Sequence, residues 1–243
     1  FDSDFALRLI KSYQQSNDYI QPYQQSDTII MQWLGDDSTL ANYQYARFLD
    51  RNGNVFLNKS VSVVQESGTY LSGYKLYTIK INLFDMPEGI YFLQCAYFGG
   101  GNRYYVLHEP IEVKQNHEDT ILIEYRNSYN DQSVIYPSTT YKFYKRVKGY
   151  IQIQPPSSDF RVYEDQPMNK ELVSGTPFRT YELMMPYLPE WESDKVNRIL
   201  TCDTVSLDGN FYTRDEGSKL EPIGLHEEST AYGYKVQLGE RYN

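Results

Sequence analysis

The sequence predicts a mainly β protein in two sheet-rich parts, the second carrying one short helix. Three observations lead there. Runs rich in Val, Ile, Tyr and Phe recur from about Gln21 to Val113 at the roughly 8–12-residue spacing of sandwich strands. Clusters of Asn, Asp, Gly and Pro punctuate those runs. Tyrosine is the compositional outlier, with 25 residues in 243. Its apolar body and polar tip suit half-buried strand positions, protein interfaces and sugar-binding faces alike.

Residues 1–17 (FDSDFALRLIKSYQQSN) fit a strand and a helix about equally, since Phe5, Leu7 and Leu9 alternate while Ala6, Ile10 and Tyr13 fall at helical spacing. A strand or extended arm is the expectation. Ser26-Asp27 marks a turn, and DTIIMQWL reads as a strand with apolar side chains on both faces. YQYARFLDRNGNVFL places a hairpin turn at Asp50 to Asn54. Asp50, Asn52 and Asn54 imitate the start of an EF-hand, but Val55 stands where that loop needs glycine and Val61 where it needs glutamate. A turn is the better account. VSVVQES and YKLYTIKINLF continue the strand series.

In DMPEGIYFLQCAYF, Tyr91, Leu93 and Cys95 alternate behind a Pro-Glu-Gly turn. This resembles the late strand of immunoglobulin-like sandwiches, in which a tyrosine anchors the preceding corner. The Tyr-to-Cys spacing of four rather than two makes the likeness one of architecture, not of antibody domains. Gly99-Gly100-Gly101-Asn102 lacks the Lys-Ser/Thr ending of a phosphate loop and reads as a hairpin. The polar segment KQNHED suggests a boundary. Residues 1–115 are then an immunoglobulin-like sandwich with an N-terminal arm, and residues 116–243 a β-rich assembly domain.

In that second part, DTILIEYRNSYN and YKFYKRVKGYIQIQ are strands, Pro155-Pro156-Ser157-Ser158 is a break, and residues 160–186 hold strands at each end with a polar excursion between. Pro189 followed by Glu190, Glu192 and Asp194 sets acids at a helix start, where the partial positive charge favours them. Trp191, Val196, Ile199 and Leu200 give that helix, near 190–201, one apolar face. VSLDGNFY is a hairpin with Asp208-Gly209 at its tip, the strongest such signal in the chain. RDEGSKLEP is a loop and TAYGYKVQLGERY a closing strand.

Charge and motif content narrow the function. A net charge of -9 and a pI near 4.9 argue against a nucleic-acid surface, which needs clustered Lys and Arg. The most basic window, Tyr141 to Tyr150, reads as a strand with one charged face. No apolar run approaches the roughly 18 residues that cross a bilayer. The chain begins with neither a charged n-region nor an apolar h-region, as expected of a cytosolic chain or one whose signal is gone. Cys95 and Cys202 are too few for a disulfide framework and read as buried thiols. His108, His117 and His226 lack metal-ligand spacing and read as surface residues. GxSxG is absent. The acids Asp36-Asp37, Glu227-Glu228 and Glu190 with Glu192 read as solvated surface rather than as a glycosidase pair. No catalytic residue, metal site or cofactor is expected, and an enzyme is the least favoured class.

Several segments in order, QPYQQSDTIIMQ, DMPEGIYFL, HEPIEV, DTILIEYRNSYN, YKRVKGYI, YEDQPMNKELVSGTPFRTYEL and above all ESDKVNRILTCDTVSLDGNFYTRDEGSKLE, resemble a family of tail-associated structural proteins of Bacteroides-group phages and prophages. The resemblance spans nearly the whole chain. It implies a non-enzymatic virion component of the tail, or of the neck and tail hub, held by other virion proteins and by sister copies in a ring. Trp191, Arg198 and Tyr212 are the expected interface residues. The alternative is a secreted or surface β-sandwich that binds polysaccharide through stacked Tyr and Trp. Only under that alternative is a glycan the partner.

Overall fold

The computed structural model describes residues 19–35, 45–65, 75–99, 102–127, 142–155, 157–165, 169–214, 217–223 and 231–240. The expected arm at residues 1–17 lies outside them, as do Asp36-Asp37, Glu227-Glu228 and His226. The protein is mainly β, with one helix among the described residues. Two compact units divide it, Phe1–Lys148 and Gly149–Asn243. That division falls later than the polar KQNHED segment.

The described residues of the first unit form ten strands: β1 Gln21–Gln24, β2 Thr28–Gly35, β3 Tyr45–Leu49, β4 Val55–Ser60, β5 Ser62–Gln65, β6 Lys75–Asn82, β7 Gly89–Gly99, β8 Asn102–Lys114, β9 Thr120–Arg126 and β10 Phe143–Lys148. One sheet runs β1-β8-β7-β3-β4 and another β2-β6-β5. β1 lies parallel to β8; the other pairs are antiparallel. Period-2 alternation drives this packing. Phe48 of β3, Ile79 and Ile81 of β6, Tyr91, Leu93 and Cys95 of β7, and Ile111 and Val113 of β8 form one buried cluster with Ile29 of β2. Both sheets contribute to it, so they face each other across a shared core. Full burial of each such large side chain contributes about 1.5–3 kcal/mol.

Local chemistry fixes the turns. Asp50 accepts the backbone N–H groups of Asn52 and Asn54, each at 2.9 Å, and Gly53 takes the left-handed φ of 80°. The β3–β4 hairpin is therefore closed by an aspartate-capped turn, as its Asp, Asn and Gly content predicts. At the start of β7 the Tyr91 hydroxyl donates to the Pro87 carbonyl at 3.0 Å, which anchors the corner as expected. Glycine-flanked β7 and β8 form the expected hairpin.

The β9–β10 hairpin belongs to the first unit, and its attachment is polar. Arg146 of β10 donates from Nε to Asp27 Oδ2 at 2.8 Å and from Nη2 to Asp27 Oδ1 at 3.0 Å. Nη1 reaches Thr120 Oγ1 at 3.2 Å, and Nη2 also reaches Gln24 Oε1 at 3.0 Å. Gln21 donates to the Arg146 carbonyl while accepting from Lys145 Nζ at 2.6 Å. The two charged side chains are only 6% and 8% exposed. The basic window thus does not present one charged face, because Arg146 is sealed beneath β1. Lys142, further along it, pairs with Glu124 at 2.6 Å. His117 is another correction. It is buried, not superficial, with Nε2 donating to the Tyr23 carbonyl at 3.1 Å.

The second unit contains β11 Tyr150–Ile153, β12 Ser157–Asp165, β13 Asn169–Phe178, β14 Thr180–Pro189, helix α1 Glu190–Ile199, β15 Thr204–Leu207, β16 Asn210–Arg214, β17 Glu221–Ile223 and β18 Ala231–Glu240. Its main sheet runs β15-β16-β18-β14-β11, and β17 adds to β18. Leu183 and Met185 of β14 and Val236 and Leu238 of β18 are buried, and α1, whose Val196 and Ile199 are also buried, packs on these two strands. β12 and β13 form a ribbon of their own. The segment expected as a polar excursion is therefore mostly paired strand. Gly149 is required where β11 approaches β14, since a Cβ there would run into the Met184 carbonyl. No helix among the described residues is long and apolar enough to cross a membrane.

Candidate functional site

Helix α1 starts where its sequence expects it. Pro189 ends β14 and stands at the N-cap, where its missing N–H is harmless. Glu190 and Glu192 occupy the first turn and Arg198 the last, matching the helix dipole. Val196, Ile199 and Leu200 are buried, as their spacing predicts. Glu192 departs from expectation. Its carboxylate is fully buried and paired with Lys195 at 3.2 Å, so it is not solvated surface. The same Lys195 ammonium stands 4.5 Å from the centre of the half-buried Trp191 ring. Such a cation–π contact contributes about 0.5–1 kcal/mol at a partly exposed site.

The three expected interface residues separate by burial. Arg198 is exposed and Trp191 half-buried. Tyr212 is 8% exposed, with its ring edge-on to Tyr181 at 5.3 Å, and packs within the chain. Tyr212 lies on β16 in the hairpin whose Asp208 and Gly209 both take positive φ, as an Asp-Gly turn requires.

Sequence reading missed the residue that organises this face. Arg214, at the end of β16, donates to Asn197 Oδ1 of α1 at 2.8 Å and from Nε and Nη2 to the Ser218 carbonyl at 3.1 and 2.8 Å. It pins the loop after β16 to the helix. Between them lies an open cleft of about 350 Å³, walled on the helix side by Glu190 and Asp194 and on the loop side by Lys219 and Leu220, with Tyr234 behind. An arginine followed by a Gly-Ser loop carries no pattern that announces such a role.

Apolar side chains reach solvent at several places. On the outer face of the five-stranded sheet, Val55, Leu49, Phe92 and Pro110 are successive cross-strand partners, a row running over β4, β3, β7 and β8. Val55 is 48% exposed and Phe92 36%. A bulge between Phe48 and Leu49 leaves Phe56 outside the pairing, exposed and tilted over Tyr91 at 5.3 Å. In the second unit, edge strand β11 exposes Tyr150 and Ile153, and the ribbon exposes Val162 and Tyr163.

Neither cysteine forms a disulfide. Cys95 is buried, and that burial pushes its thiol pKa up to about 12, whereas Cys202 is only half-buried, contrary to expectation. Among the described residues no group of three or more His, Cys, Asp or Glu is placed to hold a metal ion. The chemistry on offer at these surfaces is recognition through aromatic rings, carboxylates and guanidinium groups. Comparison of the chain with protein-family models, with curated proteins and with solved structures gives no match.

Proposed function

We propose that the protein is a non-enzymatic structural subunit of a phage virion, a tail or neck and tail-hub component that assembles with sister copies and other virion proteins. The observation that carries this reading is the row Val55–Leu49–Phe92–Pro110, which lays apolar surface across four strands on a face not used by the chain's own core. Isolated exposed apolar residues are ordinary. Aligned in register they favour protein contact, because burying them together removes connected apolar area from water. The resemblance to tail-associated proteins gives that contact its setting. We read the first unit as an immunoglobulin-like sandwich, supported by the parallel pairing of its first strand with β8 and by the Tyr91–Pro87 corner.

Light scattering over a wide concentration range, with negative-stain electron microscopy, tests the proposal. Discrete rings or higher oligomers are expected, and Phe92→Ser with Val55→Ser should dissolve them while leaving the far-UV spectrum unchanged. A particle that stays monomeric at high concentration and binds a polysaccharide on a glycan array overturns it in favour of the carbohydrate-binding alternative.

A further inference from the structure

We infer that the β12–β13 ribbon of one copy docks in the α1 cleft of a second copy, Arg161 and Tyr163 entering between the helix and the loop pinned by Arg214. This inference rests on the assembly reading above and adds the contact that would propagate it. Three observations converge.

The ribbon lacks support where its strands are long. β12 and β13 pair with each other along nine registered positions and join no other sheet among the described residues. A two-stranded ribbon alone is marginal in water. Yet Arg161 through Glu164 are all exposed, Tyr163 by 58%. The register skips one residue of β13 between the Arg161 and Val162 pairs, so alternation along β12 is unbroken. Arg161 and Tyr163 therefore share one face. Arginine and tyrosine are the side chains that most often anchor an interface.

The cleft carries carboxylates suited to such a pair. Glu190 and Asp194 lie four apart on α1 and so on one face of the helix. Both are exposed, and neither forms an ion pair among the described residues. Arg214 is already turned towards Asn197 and Ser218, which leaves Lys219 as the exposed cation of the loop wall. A guanidinium from outside meets two carboxylates on the helix side and can bond one of them through two parallel N–H groups. The volume of about 350 Å³ accommodates its head and part of a tyrosine ring.

Ribbon and cleft are different surfaces of the same unit. A contact between them is heterologous, and repeated head to tail it closes a ring or extends a filament rather than stopping at a two-fold dimer.

Sedimentation velocity and light scattering on the full chain at low and at high salt test the docking. Arg161→Glu, and separately Glu190→Lys with Asp194→Lys, should each weaken association at least about tenfold in Kd, and high salt should weaken the wild type in the same direction. Combining all three reversals should restore association. Arg161 is exposed, so Arg161→Glu should leave the melting temperature unchanged. Glu190→Lys with Asp194→Lys should lower it slightly, because cations near the start of α1 oppose the helix dipole. Should a variant nonetheless melt early, Arg161→Gln with Tyr163→Ser removes the same contacts without reversing charge and should give the same loss. Wild-type oligomers that ignore Arg161→Glu, or single reversals that the triple variant fails to rescue, overturn the docking and leave the assembly reading intact. A wild type that never associates overturns both.

Discussion

Replacing Asp27 by Asn is the sharpest test of what holds the first unit together. The change keeps shape and volume but removes the charge that faces Arg146. In the wild type, the guanidinium makes two bonds to Asp27 and one each to Thr120 and Gln24, at 2.8 to 3.2 Å, with its side chain 6% exposed. In Asp27→Asn the cation remains buried with neutral acceptors only. Breaking one partner of a buried pair costs about 3–5 kcal/mol, because the surviving charge has lost its counter-ion and has no water. A domain's whole stability is about 5–15 kcal/mol, so the loss should lower the urea midpoint visibly and the melting temperature by roughly 10 °C. The reverse variant, Arg146→Met, strands Asp27 and should cost a similar amount. Asp27→Leu with Arg146→Met should recover most of the loss, since an apolar pair of similar volume has no charge to desolvate. Urea melts of these variants give the coupling energy directly. If Asp27→Asn costs less than about 1 kcal/mol, the pair behaves like an exposed one and the account of β10 fastened beneath β1 is wrong.

Three further outcomes follow from named contacts. Gly149→Ala should destabilise the second unit by about 1–3 kcal/mol in thermal melts, because the new methyl group meets the Met184 carbonyl and backbone must shift. Tyr91→Phe removes the bond to Pro87 while keeping the ring, and a loss of about 0.5–1.5 kcal/mol in denaturant titration is expected. For Cys95 the folded thiol ionises near 12 and the unfolded one near 9, so stability is fully present below pH 9 and falls as pH rises towards 12. A Cys95→Ala variant should lose less between those limits than the wild type, and thiol labelling of the native protein should modify Cys202 well before Cys95.

Local patterns were legible in the sequence wherever the physics is local. Alternation in Tyr91, Leu93 and Cys95 identified the buried face of β7, Asp50 and Gly53 marked one hairpin and Asp208-Gly209 another, and the helix at Glu190 follows from its acids and its apolar spacing. The partners of each face were not legible. Arg146 sits at an outward position of an alternating strand, and only the remote Asp27 and Gln24 explain its burial. Likewise His117 is covered because β1 runs parallel to β8, a pairing of residues some ninety apart with no turn to announce it. The KQNHED segment looks like a linker by composition, yet the hairpin beyond it is stitched back to the first unit by Gln21, Gln24 and Asp27. The cleft escaped notice for a similar reason, since Arg214 joins a loop and a helix that follow different periodicities.

The lateness of Arg146 in the chain bears on how the protein is made. A gap of 119 positions separates it from Asp27, which a ribosome working at roughly 5–20 residues per second needs about 6–24 s to bridge. Throughout that interval the nascent first unit holds a lone acid at Asp27 awaiting its cation. The final clasp closes only after the β9–β10 hairpin clears the exit tunnel, which makes ribosomal stalling between Lys114 and Arg146 a hazard for soluble yield.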